Sequence, residues 1–206
     1  MTALRSLAAL LVLTAVSARA QAPAPGAGDE VVFQDDFELG NLSRWDYVDT
    51  ARYSVTSNGS RVKSGTFALQ SVITPTNGYG SINARYAPGY DDLFISLDVM
   101  FEEGFQNQRG DGCQMHFLGI NGNHVNDPYS ASGKAGIKPN GHDFFATTLD
   151  PTGYCNGPDL LPFMFYSYYP DMPCSGSLCY GDNIHQDSPA APIPQGGWQN
   201  VVINVK

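Results

Sequence analysis

Asp92-Leu93-Phe94-Ile95-Ser96-Leu97-Asp98-Val99-Met100-Phe101 alternates without a break. Leu93, Ile95, Leu97, Val99 and Phe101 fall on one side of an extended chain, and Phe94, Ser96, Asp98 and Met100 on the other, because successive side chains of a strand point to opposite faces. Working outward, Tyr53 to Thr56, Ala68 to Ile73 and Ser81 to Tyr86 read as strands before it. Cys113 to Gly119, Asp143 to Leu149 and Phe163 to Tyr169 continue the series, and Glu30 to Asp35 reads as an opening strand. Ser57-Asn58-Gly59-Ser60 and Thr74-Pro75-Thr76-Asn77-Gly78 carry turn chemistry between them. Short strands punctuated in this way predict an all-β fold, an antiparallel β-sandwich of the jelly-roll type. Trp198 to Lys206 alternates too, with Val201, Ile203 and Val205 on one face, and stops without a turn, cap or tail. The jelly roll is therefore expected to be incomplete at its C-terminus.

The N-terminus reads differently. An apolar run from Leu7 to Val16 follows a short segment with one basic residue, and Ala18-Arg19-Ala20 supplies small residues at the two positions that a signal peptidase reads. Residues 1–20 are expected to be a secretory signal peptide, 21–29 a flexible Pro/Ala/Gly linker, and 30–206 one β-jelly-roll domain. The signal core is too short to span a bilayer, which takes roughly 20 apolar residues. The expected location is extracellular or periplasmic, without a membrane partner. The net charge of −9 becomes more negative by two when a leader carrying Arg5 and Arg19 is removed. Such an acidic chain is no partner for nucleic acid, whose phosphates need a basic surface. The four cysteines suit disulfides in an exported protein. Three pairings are possible: Cys174 and Cys179 flank a short turn that a bridge could close, and Cys113 with Cys155 would then join a strand to a long loop.

Chemistry is concentrated in Cys113-Gln114-Met115-His116-Phe117-Leu118. On a strand, Gln114 and His116 share one face, and Met115 and Phe117 the other. An amide beside an imidazole on an open sheet face can grip an acidic sugar and move a proton.

Three segments carry a family resemblance. Phe33-Gln34-Asp35-Asp36-Phe37-Glu38 with Leu42-Ser43-Arg44-Trp45, then Val62-Lys63-Ser64-Gly65-Thr66-Phe67-Ala68-Leu69, then Ile95 to Phe101, resemble successive parts of concanavalin A-like jelly rolls in bacterial carbohydrate-active proteins. Among these the polysaccharide lyases look closest. Gln114-Met115-His116 is similar to the Gln-x-His strand of alginate-lyase-type jelly rolls, where the Gln helps to neutralise the uronate carboxylate and the His assists proton abstraction. The second half is similar to polysaccharide lyase family 14. Tyr166-Ser167-Tyr168-Tyr169-Pro170-Asp171 resembles its Tyr-x-Tyr strand, and Tyr180-Gly181-Asp182 and Gly197-Trp198 its later segments. The resemblance implies that the paired tyrosines belong to the active site. The family's Lys-Leu-Pro-Gly segment is absent, and Phe144 to Thr148 stands where its Ser-x-Arg strand falls.

β-Elimination from a uronate needs a group to neutralise the carboxylate, a base for the C5 proton and an acid for the leaving oxygen. Gln114 fits the first role, His116 the second, and Tyr166 or Tyr168 the third. Arg85, Lys134 and Lys138 are cations available to sugar carboxylates. Hydrolysis is disfavoured, since the Glu-x-Asp-x-x-Glu pattern that supplies two close carboxylates on such strands is missing. No cofactor is required. Asp35, Asp36 and Glu38 cluster near the first strand, and Asp36 and Glu38 are the candidate ligands of a structural calcium ion, which prefers oxygen donors. The expected function is that of a secreted polysaccharide-active protein, a lyase cleaving uronate polymers. The alternative is a non-catalytic carbohydrate-binding module or a structural extracellular domain.

Overall fold

The computed structural model describes residues 28–73, 80–105, 115–124, 126–151, 162–186 and 192–206. The expected signal peptide, Gln114, Cys113 and Cys155 lie outside the described residues. Ten strands follow one another: β1 (Tyr47–Val48), β2 (Tyr53–Thr56), β3 (Ala68–Ser71), β4 (Ile82–Asn83), β5 (Leu93–Val99), β6 (Leu118–Asn123), β7 (Phe144–Pro151), β8 (Phe163–Tyr168), β9 (Asp182–His185) and β10 (Gln199–Val205). One 3-10 turn, Gly59–Arg61, is the only helical segment among the described residues. No helix there is long and apolar enough to cross a membrane. The protein is all-β, and every pairing between its strands is antiparallel.

The pairings form three two-stranded ladders, β1–β4, β2–β3 and β5–β10, and one four-stranded sheet in the order β6-β7-β8-β9. The alternation of Asp92 to Phe101 holds. Leu93, Ile95, Leu97 and Val99 are half-buried opposite Val205, Ile203, Val201 and Gln199, while Phe94, Ser96 and Asp98 are exposed. Tyr53–Thr56 is a strand with the expected bounds. Glu30 to Asp35 is not a strand. The Asp35 carboxylate draws the chain into a turn instead, accepting the Phe37 amide at 3.0 Å and the Trp45 indole N–H at 2.8 Å.

The four-stranded sheet positions the site. Its register aligns Leu118, Leu149, Phe165 and Ile184 across all four strands. One residue along, it aligns Gly119, Thr148, Tyr166 and Asn183, which must face the opposite way. The first face is mostly apolar, with the buried Thr147 and Ser167 hydroxyls paired on it at 2.6 Å, and the other, polar face carries the hydroxyls of Thr148 and Tyr166. The core lies at both ends of this sheet. Phe101, Met115 and Ile193 are buried together with Phe117 and Phe163 against them, and Phe117 and Phe163 stack with centroids 5.9 Å apart. A second cluster of Phe144, Tyr168 and Met172 packs where residues 126–143 and 169–181 fold over the polar face. Each buried aromatic contributes about 1.5–3 kcal/mol of apolar burial. Cys174 and Cys179 are bridged, as the spacing predicts.

Candidate functional site

Of the strand expected over Cys113 to Gly119, Met115 to Phe117 lie outside β6, which begins at Leu118. Strict alternation carried back from Leu118 would put His116 on the apolar face. The chain leaves the ladder first, so Met115 and Phe117 enter the core while His116 lies beside Thr148 and Tyr166 on the polar face. The departure also explains the end of β7. The β6 ladder ends at Leu149, and the missing N–H of Pro151 is tolerated beyond its end. Asp150 fills the gap with its side chain, accepting the Phe117 amide at 3.2 Å on Oδ1.

The other oxygen of Asp150 faces His116. Nδ1 of the imidazole stands 2.8 Å from Oδ2. The carboxylate is 0% exposed, while the His116 side chain is 51% exposed. A buried carboxylate accepts hydrogen bonds and keeps its charge only with such partners. Nδ1 therefore carries the proton in the neutral ring, and Nε2 presents a lone pair. Nε2 makes no hydrogen bond among the described residues. Thr148 Oγ1, 3.2 Å from Nδ1, steadies the ring from the neighbouring strand.

The Tyr166 ring stacks on the imidazole with centroids 5.2 Å apart and planes 28° from parallel. Its hydroxyl lies 3.0 Å from that of Tyr168 and accepts the Gly181 amide at 2.9 Å. Burial, then the bond with Tyr168, pushes the Tyr166 phenol well above the ordinary tyrosine value, against the opposing pull of the Gly181 N–H. The phenol is protonated at neutral pH and can donate. The cluster joins an imidazole poised to accept a proton to a phenol poised to give one.

Gly181 is placed tightly. A Cβ there would stand 2.5–2.7 Å from three ring carbons of Tyr166. Gly181→Ala is expected to force the ring aside and destabilise the fold by about 1–3 kcal/mol. The loss of the Tyr166 near-ultraviolet dichroism together with a lowered Tm would verify this, and an unchanged Tm would contradict the packing.

His116, Tyr166 and Tyr168 are brought together. Lys134 stands at the far end of the same face, its Nζ 5.9 Å from the centroid of Phe144, which itself packs on Tyr168. Lys138 is exposed on the same segment. Arg85 is engaged elsewhere: its guanidinium lies 4.4 Å over the Tyr129 ring and donates to its hydroxyl at 2.7 Å. Asp36 and Glu38 serve as loop anchors. Asp36 accepts the Glu38 amide at 3.2 Å, and both Glu38 oxygens accept the Thr66 amide. Among the described residues no three His, Cys, Asp or Glu side chains converge as a metal site. Asp150, Thr148 and Gly181 were not among the expected site residues. The signal for Asp150 was present: a carboxylate between Leu149 and Pro151, two residues from Thr148 and hence on its face.

Scanned against protein-family models, and compared with curated proteins and with solved structures, the chain finds no match.

Proposed function

We propose that this protein is an exported polysaccharide lyase, built on a jelly roll, whose acid–base centre is His116, Asp150 and Tyr166. One observation carries the reading: a fully buried carboxylate fixes Nδ1 of a half-exposed histidine, whose Nε2 makes no hydrogen bond among the described residues and lies on a sheet face beside a protonated tyrosine. Nε2 takes the C5 proton of a uronate unit. The C5–H electron pair becomes the C4–C5 double bond as the C4–O bond breaks. Tyr166 gives its proton to the leaving oxygen, and solvent returns the proton from His116 to Tyr166. The products are an unsaturated sugar and a free hydroxyl end. General acid–base groups placed in this way contribute about 10²–10⁴-fold each.

The disulfide of Cys174 and Cys179 suits export. The test is the ultraviolet absorbance of the unsaturated product, with full-length chain and a panel of uronate polysaccharides. His116→Ala is expected to lower the rate by at least about 10²-fold. No absorbance rise with any polymer, or full activity in the variant, would overturn the reading.

A further inference from the structure

The loop between β8 and β9 reaches the centre through Gly181 and carries a pair of exposed apolar side chains just before it. Leu178 is 51% and Tyr180 57% exposed. The loop that presents them is held at several points. Tyr169 donates its hydroxyl to Asp182 at 2.7 Å, which ties the loop's two ends together. Ser175 and Leu178 exchange backbone hydrogen bonds at 3.0 and 3.2 Å, and the Cys174–Cys179 bridge closes that turn. The Cys179 amide donates to the Gly136 carbonyl at 3.0 Å, which fastens the loop to the neighbouring segment.

Gly136 supplies the support. It has φ +83°, and a Cβ on it would lie 3.6 Å from Leu178 Cδ2 and 4.0 Å from two ring carbons of Tyr180. The tyrosine ring and the leucine therefore rest beside a bare α-carbon, and Ile137, next in the chain, is exposed as well. A ring backed by main chain and held by a cross-linked loop loses little freedom on binding. Exposed tyrosines with an apolar face and a polar tip suit ligands that have both characters.

We infer that Tyr180 is a sugar-stacking platform, a subsite for the pyranose unit next to the one in which the bond breaks. The inference rests on the polysaccharide reading above and extends it. Tyr180 is one peptide link from the amide that donates to the Tyr166 hydroxyl, and this proximity in the chain is the ground for assigning its ring to the sugar unit next to the cleaved bond. The C–H face of the neighbouring sugar packs on the ring, and its hydroxyls stay in water. The site thus selects polymers over single sugar units.

The experiment uses the full-length chain carrying His116→Ala, so that the polymer persists, and affinity electrophoresis in gels containing the uronate polysaccharides. Adding Tyr180→Ala is expected to weaken binding by about tenfold, and adding Tyr180→Phe to leave it within about twofold. In the active background, Tyr180→Ala is expected to raise KM on polymer by a similar factor and to leave kcat unchanged. Unchanged binding in Tyr180→Ala overturns the platform. So does equal loss in Tyr180→Phe, which would assign the effect to the hydroxyl, and so does the absence of retardation by any polymer. Retardation that Tyr180→Ala abolishes, in a protein that yields no unsaturated product, sustains the platform and overturns only the chemistry. Cleavage that Tyr180→Ala leaves untouched does the reverse.

Discussion

Asp150→Asn is expected to lower turnover on a uronate polymer by about 10³-fold while leaving the site's shape intact. The direction follows from two hydrogen bonds. One oxygen of Asp150 accepts the Phe117 amide and the other faces His116 Nδ1. In the asparagine variant the amide oxygen must stay with Phe117, since turning the NH₂ group there would set two donors against each other. The NH₂ group then donates to Nδ1, which forces the imidazole proton onto Nε2. The ring keeps its position on Tyr166 and becomes a donor where the chemistry needs a base. Nitrogen NMR of the His116 ring reads the tautomer directly, and kcat reads its consequence. Full turnover with the proton on Nε2 would remove Nε2 from the mechanism. Asp150→Ala is the harsher change, because it strands the Phe117 N–H and the imidazole N–H together; about 3 kcal/mol of stability is expected to go with it.

This carboxylate also marks how far the sequence could be read. Period-two alternation is a local property, so Asp92 to Phe101, Phe163 to Tyr169 and Tyr53 to Thr56 declare their strands without reference to the rest of the chain. His116, Tyr166 and Tyr168 are likewise visible as residue types on such segments. Their grouping with Asp150 is not local. It depends on the ladder pairing Leu118 with Leu149 and on the chain leaving that ladder one residue earlier. A strand continued from Gly119 back to Cys113 would have turned His116 to the other side of the sheet. β9 (Asp182–His185) went unread because four mostly polar residues carry no apolar period. Gly181 is a similar case: its glycine is needed for the approach to Tyr166, fifteen residues away. Glu30 to Asp35 fails in the opposite sense, since a promising alternation yields to the side-chain bonds that Asp35 makes with Phe37 and Trp45.

Tyr166→Phe tests the other half of the centre and separates chemistry from stability by pH. Loss of the phenolic proton is expected to cut kcat by about 10²–10⁴-fold at neutral pH. The same change leaves the Gly181 amide and the Tyr168 hydroxyl without their partner, at a cost of about 1–3 kcal/mol. The alkaline response then identifies the residue. Burial, followed by the bond to Tyr168, raises the folded-state value above the ordinary 10.0. Between those two values the unfolded chain has released a proton that the folded chain still holds. Stability is therefore unaffected below about pH 10 and falls as pH climbs above it. The slope is at most about 1.4 kcal/mol per pH unit, and smaller for a ring that solvent partly screens. Urea titrations across this window are expected to show the decline in the wild type and a flatter profile in Tyr166→Phe. Parallel profiles would mean that the phenol titrates as it does in water, which would contradict the burial of its hydroxyl between Tyr168 and Gly181.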